Sequence, residues 1–207
     1  MLGEINFILI LLAAFIAVAS PGPATLAIAG TSMRSGRRAG LAVSSGVMTG
    51  SLFWSVSAAF GLAAIISTNA WVLDAMRYLG TAYLMYLAFK SGRSALAQKE
   101  LQIAPMAGSM KVLYLKGAAL HLTNPKAVLF FAALYSLGTP TTATVGELAL
   151  VILAVAIQSC IIFFGYALLF STEKMTRIYV KLRRLFEALF ALGFGFASIW
   201  ILTARLS

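Results

Sequence analysis

The sequence predicts an all-α integral membrane protein of six transmembrane helices, built as two inverted three-helix repeats with helices 1 and 4 broken by proline. Three observations carry that expectation. Hydrophobic residues make up 61% of the 207 and charged residues only 11%, with a mean hydropathy of +0.93, whereas a soluble domain carries about a quarter charged residues. Charge-poor runs recur at about the roughly 20-residue length a bilayer crossing needs. Prolines interrupt two of those runs, at Ser20-Pro21-Gly22-Pro23 and at Asn124-Pro125-Lys126.

The runs fall at about residues 5–33, 41–66, 71–89, 117–138, 147–170 and 185–204. In the first, Ala17-Val18-Ala19 before Ser20 resembles a signal-peptidase site. Met1 to Phe7, however, carries Glu4 and no Lys or Arg, so the basic start of a signal peptide is missing and the segment is expected to be retained. The second run holds Gly46-Val47-Met48-Thr49-Gly50, with Ser57 and Gly61 beyond, a small-residue face for close packing. In the third, Asp74 and Arg77 are spaced for an ion pair on the outer side.

The fourth run contains the second proline break. The fifth holds Gln158, which either lines a path or bonds helices together, and Cys160, the single cysteine. One cysteine excludes an internal disulfide, a CxxC redox pair and a thiolate metal cage. The sixth holds Glu187, which follows Arg183 and Arg184 and is expected to be neutralised by them.

Most of the 16 Lys and Arg lie in alternate connectors: Arg34, Arg37 and Arg38; Lys90, Arg93, Lys99, Lys111 and Lys116; Lys174, Arg177, Lys181, Arg183 and Arg184. The connectors at 67–70 and 138–143 carry none. Basic loops stay in the cytoplasm, so the first, third and fifth connectors are cytoplasmic and both termini face outward. Trp71, Tyr78, Tyr114 and Tyr179 lie near run ends, where amphipathic rings favour the interface. The net charge of +10 thus reads as topology, because no basic face with interleaved aromatics marks a nucleic-acid site. Cutting within the longest connector leaves one membrane domain with repeat halves at about 1–95 and 112–207, linked by a basic cytoplasmic loop.

An interior proline removes a backbone donor and crowds the carbonyl four residues back. Pro21, Pro23 and Pro125 therefore free the carbonyls of Ala17, Ala19 and His121, which at membrane depth need protein or a wet cavity beside them. Asn124-Pro125 has the form of an N-cap followed by proline in the first turn, and Ser20-Pro21 has the same form. Two half-helix starts result. Measured back to the basic connectors at about 1.5 Å per residue, both lie at similar depths, near the middle of the bilayer core.

Helix starts favour anions, and Lys126 adds a full charge at an insertion cost of about 2.5–3.5 kcal/mol. Freed carbonyls suit an ammonium group, so a cavity between the breaks suits a zwitterion. The candidate substrate-binding residues are Pro21, Gly22, Pro23, Thr25, Asn124, Pro125 and Lys126. His121, Ser51 and Gln158 are candidates for a path or for coupling. Alternatively, Thr25, Asn124 or water satisfies the carbonyls and the helices are only kinked. No carboxylate pair, nucleophile triad or metal-ligand cluster within the helices suggests an enzyme, and no cofactor or metal is expected.

Ser20-Pro21-Gly22-Pro23, the glycine-spaced stretch from Gly40 to Gly61, Leu79-Gly80-Thr81-Ala82-Tyr83-Leu84-Met85-Tyr86-Leu87 and Leu122-Thr123-Asn124-Pro125-Lys126 together give the chain a wider likeness. It resembles the lysine exporter family of small bacterial amino-acid efflux carriers. The resemblance implies a secondary transporter in the bacterial inner membrane that exports amino acids or related zwitterions by alternating access. It also implies proton coupling and assembly as a homo-oligomer. Where many members have Asp or Asn after Pro-Gly-Pro and an acidic residue in the second helix, this chain has Ala24 and Ser51. Without those groups a cationic substrate lacks its counter-ion, which favours neutral zwitterions. The competing readings are a carrier of another small solute or ion, a membrane redox protein, which the single Cys160 opposes, and a structural membrane protein.

Overall fold

The computed structural model describes residues 5–68, 70–97, 105–140 and 142–203, and the ordered elements among them are all helical. In chain order these are α1 (Phe7–Ala19), α2 (Pro23–Thr68), α3 (Ala70–Leu96), α4 (Met110–Leu122), α5 (Pro125–Gly138), α6 (Val145–Leu169) and α7 (Glu173–Thr203). Among the described residues, Pro23–Gly61 and Val145–Leu169 are long and apolar enough to cross a membrane.

The two proline breaks separate α1 from α2 and α4 from α5. Steric contact with a following proline ring drives the preceding residue out of the helical region. Ser20, before Pro21, is extended at φ −69°, ψ 142°, and Asn124, before Pro125, is extended at φ −80°, ψ 110°. A third break was not expected. α2 consists of two arms, 23–35 and 37–68, that meet at Gly36 with φ 80° and ψ 175°, a conformation open in practice only to glycine.

Hydropathy marks the apolar runs but not the helix ends. The basic connector anticipated around Arg34 to Arg38 is a one-residue turn, α3 runs on to Leu96, and α7 starts at Glu173. Long basic side chains extend a helix beyond the apolar layer while their charges stay wet, so a charge cluster need not be a loop. The side chains of Trp71, Asp74 and Arg77 lie outside the described residues, so the anticipated ion pair does too.

Glycines let α2 and α4 touch backbone to backbone. Gly46 lies against the Tyr114 carbonyl and Ala118 amide, Gly50 against His121, and Gly117 against the Val43 carbonyl. The small-residue face is therefore real over Gly46 and Gly50, but it ends there, since among the described residues nothing lies beside Gly61, and Ser57 is exposed. Polar cross-links add to this packing: Ser44 Oγ donates to the Phe163 carbonyl at 3.0 Å and Ser198 Oγ to that of Thr81 at 3.3 Å. Gln158 Nε2 donates to the Leu11 carbonyl at 3.0 Å, bonding α6 to α1.

The three basic segments gather at one end. Met106 donates its amide to Thr31 Oγ1 at 3.0 Å, and Arg184 Nε donates to the Ala95 carbonyl at 3.0 Å. Ala29 and Met33 pack with Phe170, Tyr179 and Phe186. Tyr179 is thus a buried member of an aromatic cluster, 4.7 Å from Phe170 between ring centroids, not an interface ring. At the opposite end Gly138 of α5 lies against Ile10 of α1. There, a core containing Ile10, Ala14, Phe130, Phe131, Leu134, Tyr135 and Val151 fills the bundle.

Candidate functional site

Both breaks meet. Lys126, second residue of α5, extends its ammonium to the Ser20 carbonyl at 3.3 Å and donates also to Ser20 Oγ. The side chain runs along Gly22, where an added Cβ would lie 3.2 Å from Nζ and 3.4 Å from Cδ. Gly22 therefore gives the lysine room that a methyl group would narrow by a few tenths of an ångström. Lys126 points across the molecule at the other break instead of snorkelling to an interface.

The two starts are capped differently. At α5, Asn124 Oδ1 accepts the Lys126 amide at 3.0 Å, and the Asn124 carbonyl accepts that of Ala127 at 2.9 Å, so Asn124 is the N-cap expected of it. At α2 the helix begins on Pro23, not Pro21. Ser20 instead closes α1, its hydroxyl donating to the Ala17 carbonyl at 2.9 Å. The difference follows from the second proline: Gly22 must itself be extended before Pro23, which moves the start two residues on. Thr25 then reaches back, its Oγ1 accepting the Gly22 amide at 2.9 Å, the return half of a capping box.

The freed carbonyls are not bare. Ala17 is bonded by Ser20, Ala19 accepts from the Tyr166 hydroxyl at 2.8 Å, and His121 accepts from the Asn124 amide at 3.2 Å. Side chains and the adjoining turn thus give each of the three carbonyls a partner within the protein, as in the alternative in which the breaks only kink the helices. Tyr166 was missed because it lies far along the chain on α6.

Two cavities share the Ser20–Lys126 contact. The smaller, about 40 Å³, is lined by Thr25, Ser51, His121, Asn124, Lys126 and Phe163 among others, room for a water or so. His121 and Ser51 are buried, and neither His121 ring nitrogen has a hydrogen-bond partner among the described residues. Gln158 lines neither cavity.

The larger cavity, about 720 Å³, is of small-molecule size. Pro21, Gly22, Pro23, Asn124, Pro125 and Lys126 form one wall. Lys90, Ser91 and Ser94 of α3 and Glu187 of α7 form another, with Leu26, Leu129 and Phe194 between. Of the two arginines expected to neutralise Glu187, Arg184 bonds the Ala95 carbonyl instead, while Glu187 Oε1 accepts from Ser94 Oγ at 2.9 Å. The Arg183 side chain lies outside the described residues. Sequence reasoning missed Ser20, Lys90 and Glu187, although an acidic residue entering an apolar run was a visible signal.

Residues 15–204 match the LysE type translocator family. The chain belongs to that family. It is a translocator, not an enzyme. This translocator is 32% identical over 182 residues to the leucine efflux protein of Enterobacter sp. (strain 638), covering 88% of this chain and 86% of the relative. It is 31% identical over 202 residues to the threonine efflux protein of Escherichia coli (strain K12), covering 91% and 95%. No solved structure matches it.

Proposed function

We propose that the chain exports neutral amino acids across the bacterial cytoplasmic membrane, as a proton-coupled secondary carrier whose site lies between the two proline breaks. One observation carries this reading: a lysine at the start of one half-helix bonds the broken end of another helix, on the wall of a cavity of small-molecule size. An ammonium group held there by neutral oxygen atoms is a natural receptor for a carboxylate. Relatives named for leucine and threonine efflux support a neutral amino acid as the owner of that carboxylate.

Six crossings in two inverted halves account for the element order. α1 with the first arm of α2, the second arm, and α3 make one half; α4 with α5, then α6, then α7 make the other. Contacts pair under that exchange. α2 against α4 is answered by α6 against α1, and α3 against α5 by α7 against α1, while α3 with α7 and α2 with α6 are their own images. Transporters with this plan rock one half against the other about a midplane site.

The positive-inside rule puts the basic end in the cytoplasm. The cavity reaches toward that end at Ser91 and Ser94, whereas the Phe130–Tyr135 core closes the other, an arrangement suited to loading from inside. His121, beside Lys126 on the smaller cavity, is the group this reading assigns to proton coupling. The test is purified protein in liposomes with labelled leucine, threonine and lysine under an imposed proton gradient. Gradient-stimulated movement of leucine and threonine, with lysine slower, is expected; no movement of any amino acid would sink the proposal.

A further inference from the structure

We infer that Glu187 is the residue that recognises the substrate's ammonium group, and that it sets the preference for zwitterions over plain carboxylates. The inference rests on the export reading for its ligand but on separate residues for its argument. A carboxylate in a membrane-spanning helix is costly to bury and needs a stated partner. Glu187 is 6% exposed, and its nearest sequence neighbour of opposite charge with a described side chain, Arg184, is turned to the Ala95 carbonyl. Ser94 holds one of its oxygens, which fixes the direction of the carboxylate without neutralising it.

Its surroundings are those of a receptor. Lys90 and Ser94 stand one helical turn apart on α3 and so share a face. Both line the large cavity with Glu187 and Lys126. The Lys126 ammonium is within electrostatic reach of both Glu187 and Lys90. Lys90 Nζ is further placed 5.8 Å from the centre of the Tyr86 ring. Among the described residues the cavity thus presents two ammonium groups and one carboxylate.

A zwitterion matches that set. Its carboxylate sits with Lys126 and Lys90, its ammonium with Glu187 and the Ser94 hydroxyl, and its side chain against Leu26, Leu129 and Phe194. A cationic amino acid adds a positive charge to a site already richer in positive groups. A plain carboxylate leaves Glu187 facing it with no ammonium between, and like charges at close range repel. Glu187 is thus matched by the ammonium that every zwitterionic amino acid carries, and the counter-ion to a cationic side chain stays missing at Ala24 and Ser51.

The experiment is calorimetric binding of L-leucine and of 4-methylpentanoate, the same molecule without its amino group, to the full chain in detergent. The unaltered protein is expected to bind leucine at least about tenfold more tightly, the range expected of one charge-assisted hydrogen bond. Glu187→Gln should weaken leucine by roughly ten- to hundredfold while 4-methylpentanoate binds as before or more tightly. Glu187→Asp should restore part of the preference for leucine. Retained binding of 4-methylpentanoate shows that the variant is folded. Equal loss of both ligands, or unchanged leucine binding, overturns the assignment, as does an unaltered protein that does not prefer leucine. Leucine binding that depends on Glu187, in a protein that moves no amino acid in liposomes, would uphold it and overturn the export reading alone.

Discussion

At the scale of single residues, the proposed function turns on how one lysine is held. Lys126 has two Ser20 oxygen atoms as partners and Gly22 beneath its chain, so its position is set from the opposite break. Lys126→Ala should lower leucine flux in liposomes at least about a hundredfold, the loss expected when a charged anchor of the substrate is removed. Protein recovered from the membrane should be unchanged. Gly22→Ala is subtler. The added methyl presses on the flexible end of the lysine, so the chain tolerates it and the ammonium shifts by a few tenths of an ångström. Roughly tenfold weaker leucine binding with an unaltered melting temperature is the expected result, and an unchanged affinity would show that Lys126 does not touch the substrate. His121→Gln makes a third case. It keeps a polar side chain in the small cavity but removes the titratable ring, so leucine binding should persist while accumulation driven by a proton gradient disappears. Accumulation equal to that of the unaltered protein would remove His121 from coupling.

At the scale of elements, glycines decide which helices can meet. An alanine at Gly117 would drive its methyl into the Val43 carbonyl, and one at Gly46 into the Tyr114 carbonyl; neither obstacle is a side chain that can move aside. Each substitution should cost on the order of 1–3 kcal/mol, read as a lower melting temperature in detergent, while Gly61→Ala, with open space around it, should cost nothing measurable. Gly36→Ala should cost roughly 1–3 kcal/mol for a different reason, backbone strain at positive φ. These elements also mark what was legible in the sequence. Proline acts on its immediate neighbours, so the breaks at Ser20 and Asn124 could be read from a few adjacent letters, and the Gly46–Gly50 spacing announced a packing face. The partner of that face, Gly117, could not be read, nor could the one-residue turn at Gly36, because basic residues end an apolar run without ending a helix. The same limit governed the site. Asn124 and Lys126 were legible as a cap and a buried charge, whereas the Tyr166 hydroxyl on Ala19 and the Ser94 hydroxyl on Glu187 depend on helices brought together from distant parts of the chain. Glu187 was discounted because two arginines stood beside it in sequence, and only the fold turns Arg184 away.

At the scale of the whole molecule, the two ends of the bundle are unlike in a way that transport would exploit. Toward the basic end the large cavity reaches Ser91 and Ser94 on α3. At the other end the way is filled by aromatic and aliphatic side chains, and a 2.7 Å hydrogen bond between Ser55 of α2 and Tyr135 of α5 ties two helices across it. If the halves rock about the breaks, that hydrogen bond must open when the site turns outward, because it joins an element of one half to an element of the other. Chemistry can read this asymmetry, since Cys160 is the only native thiol. With Cys160 replaced by alanine, Ser91→Cys should react with a membrane-impermeant maleimide in inside-out vesicles and be protected in right-side-out ones. Ser55→Cys, buried behind the core, should react slowly from both sides at rest. Adding Tyr135→Phe to the Ser91→Cys protein leaves the aromatic ring in place but breaks the tie, so outward-open states gain population. Ser91→Cys should then lose reactivity from the inside, in proportion to the population gained. Labelling that is equal from both sides, or unmoved by Tyr135→Phe, would show that the Ser55–Tyr135 contact is not a gate and that the two ends of the bundle do not open in alternation.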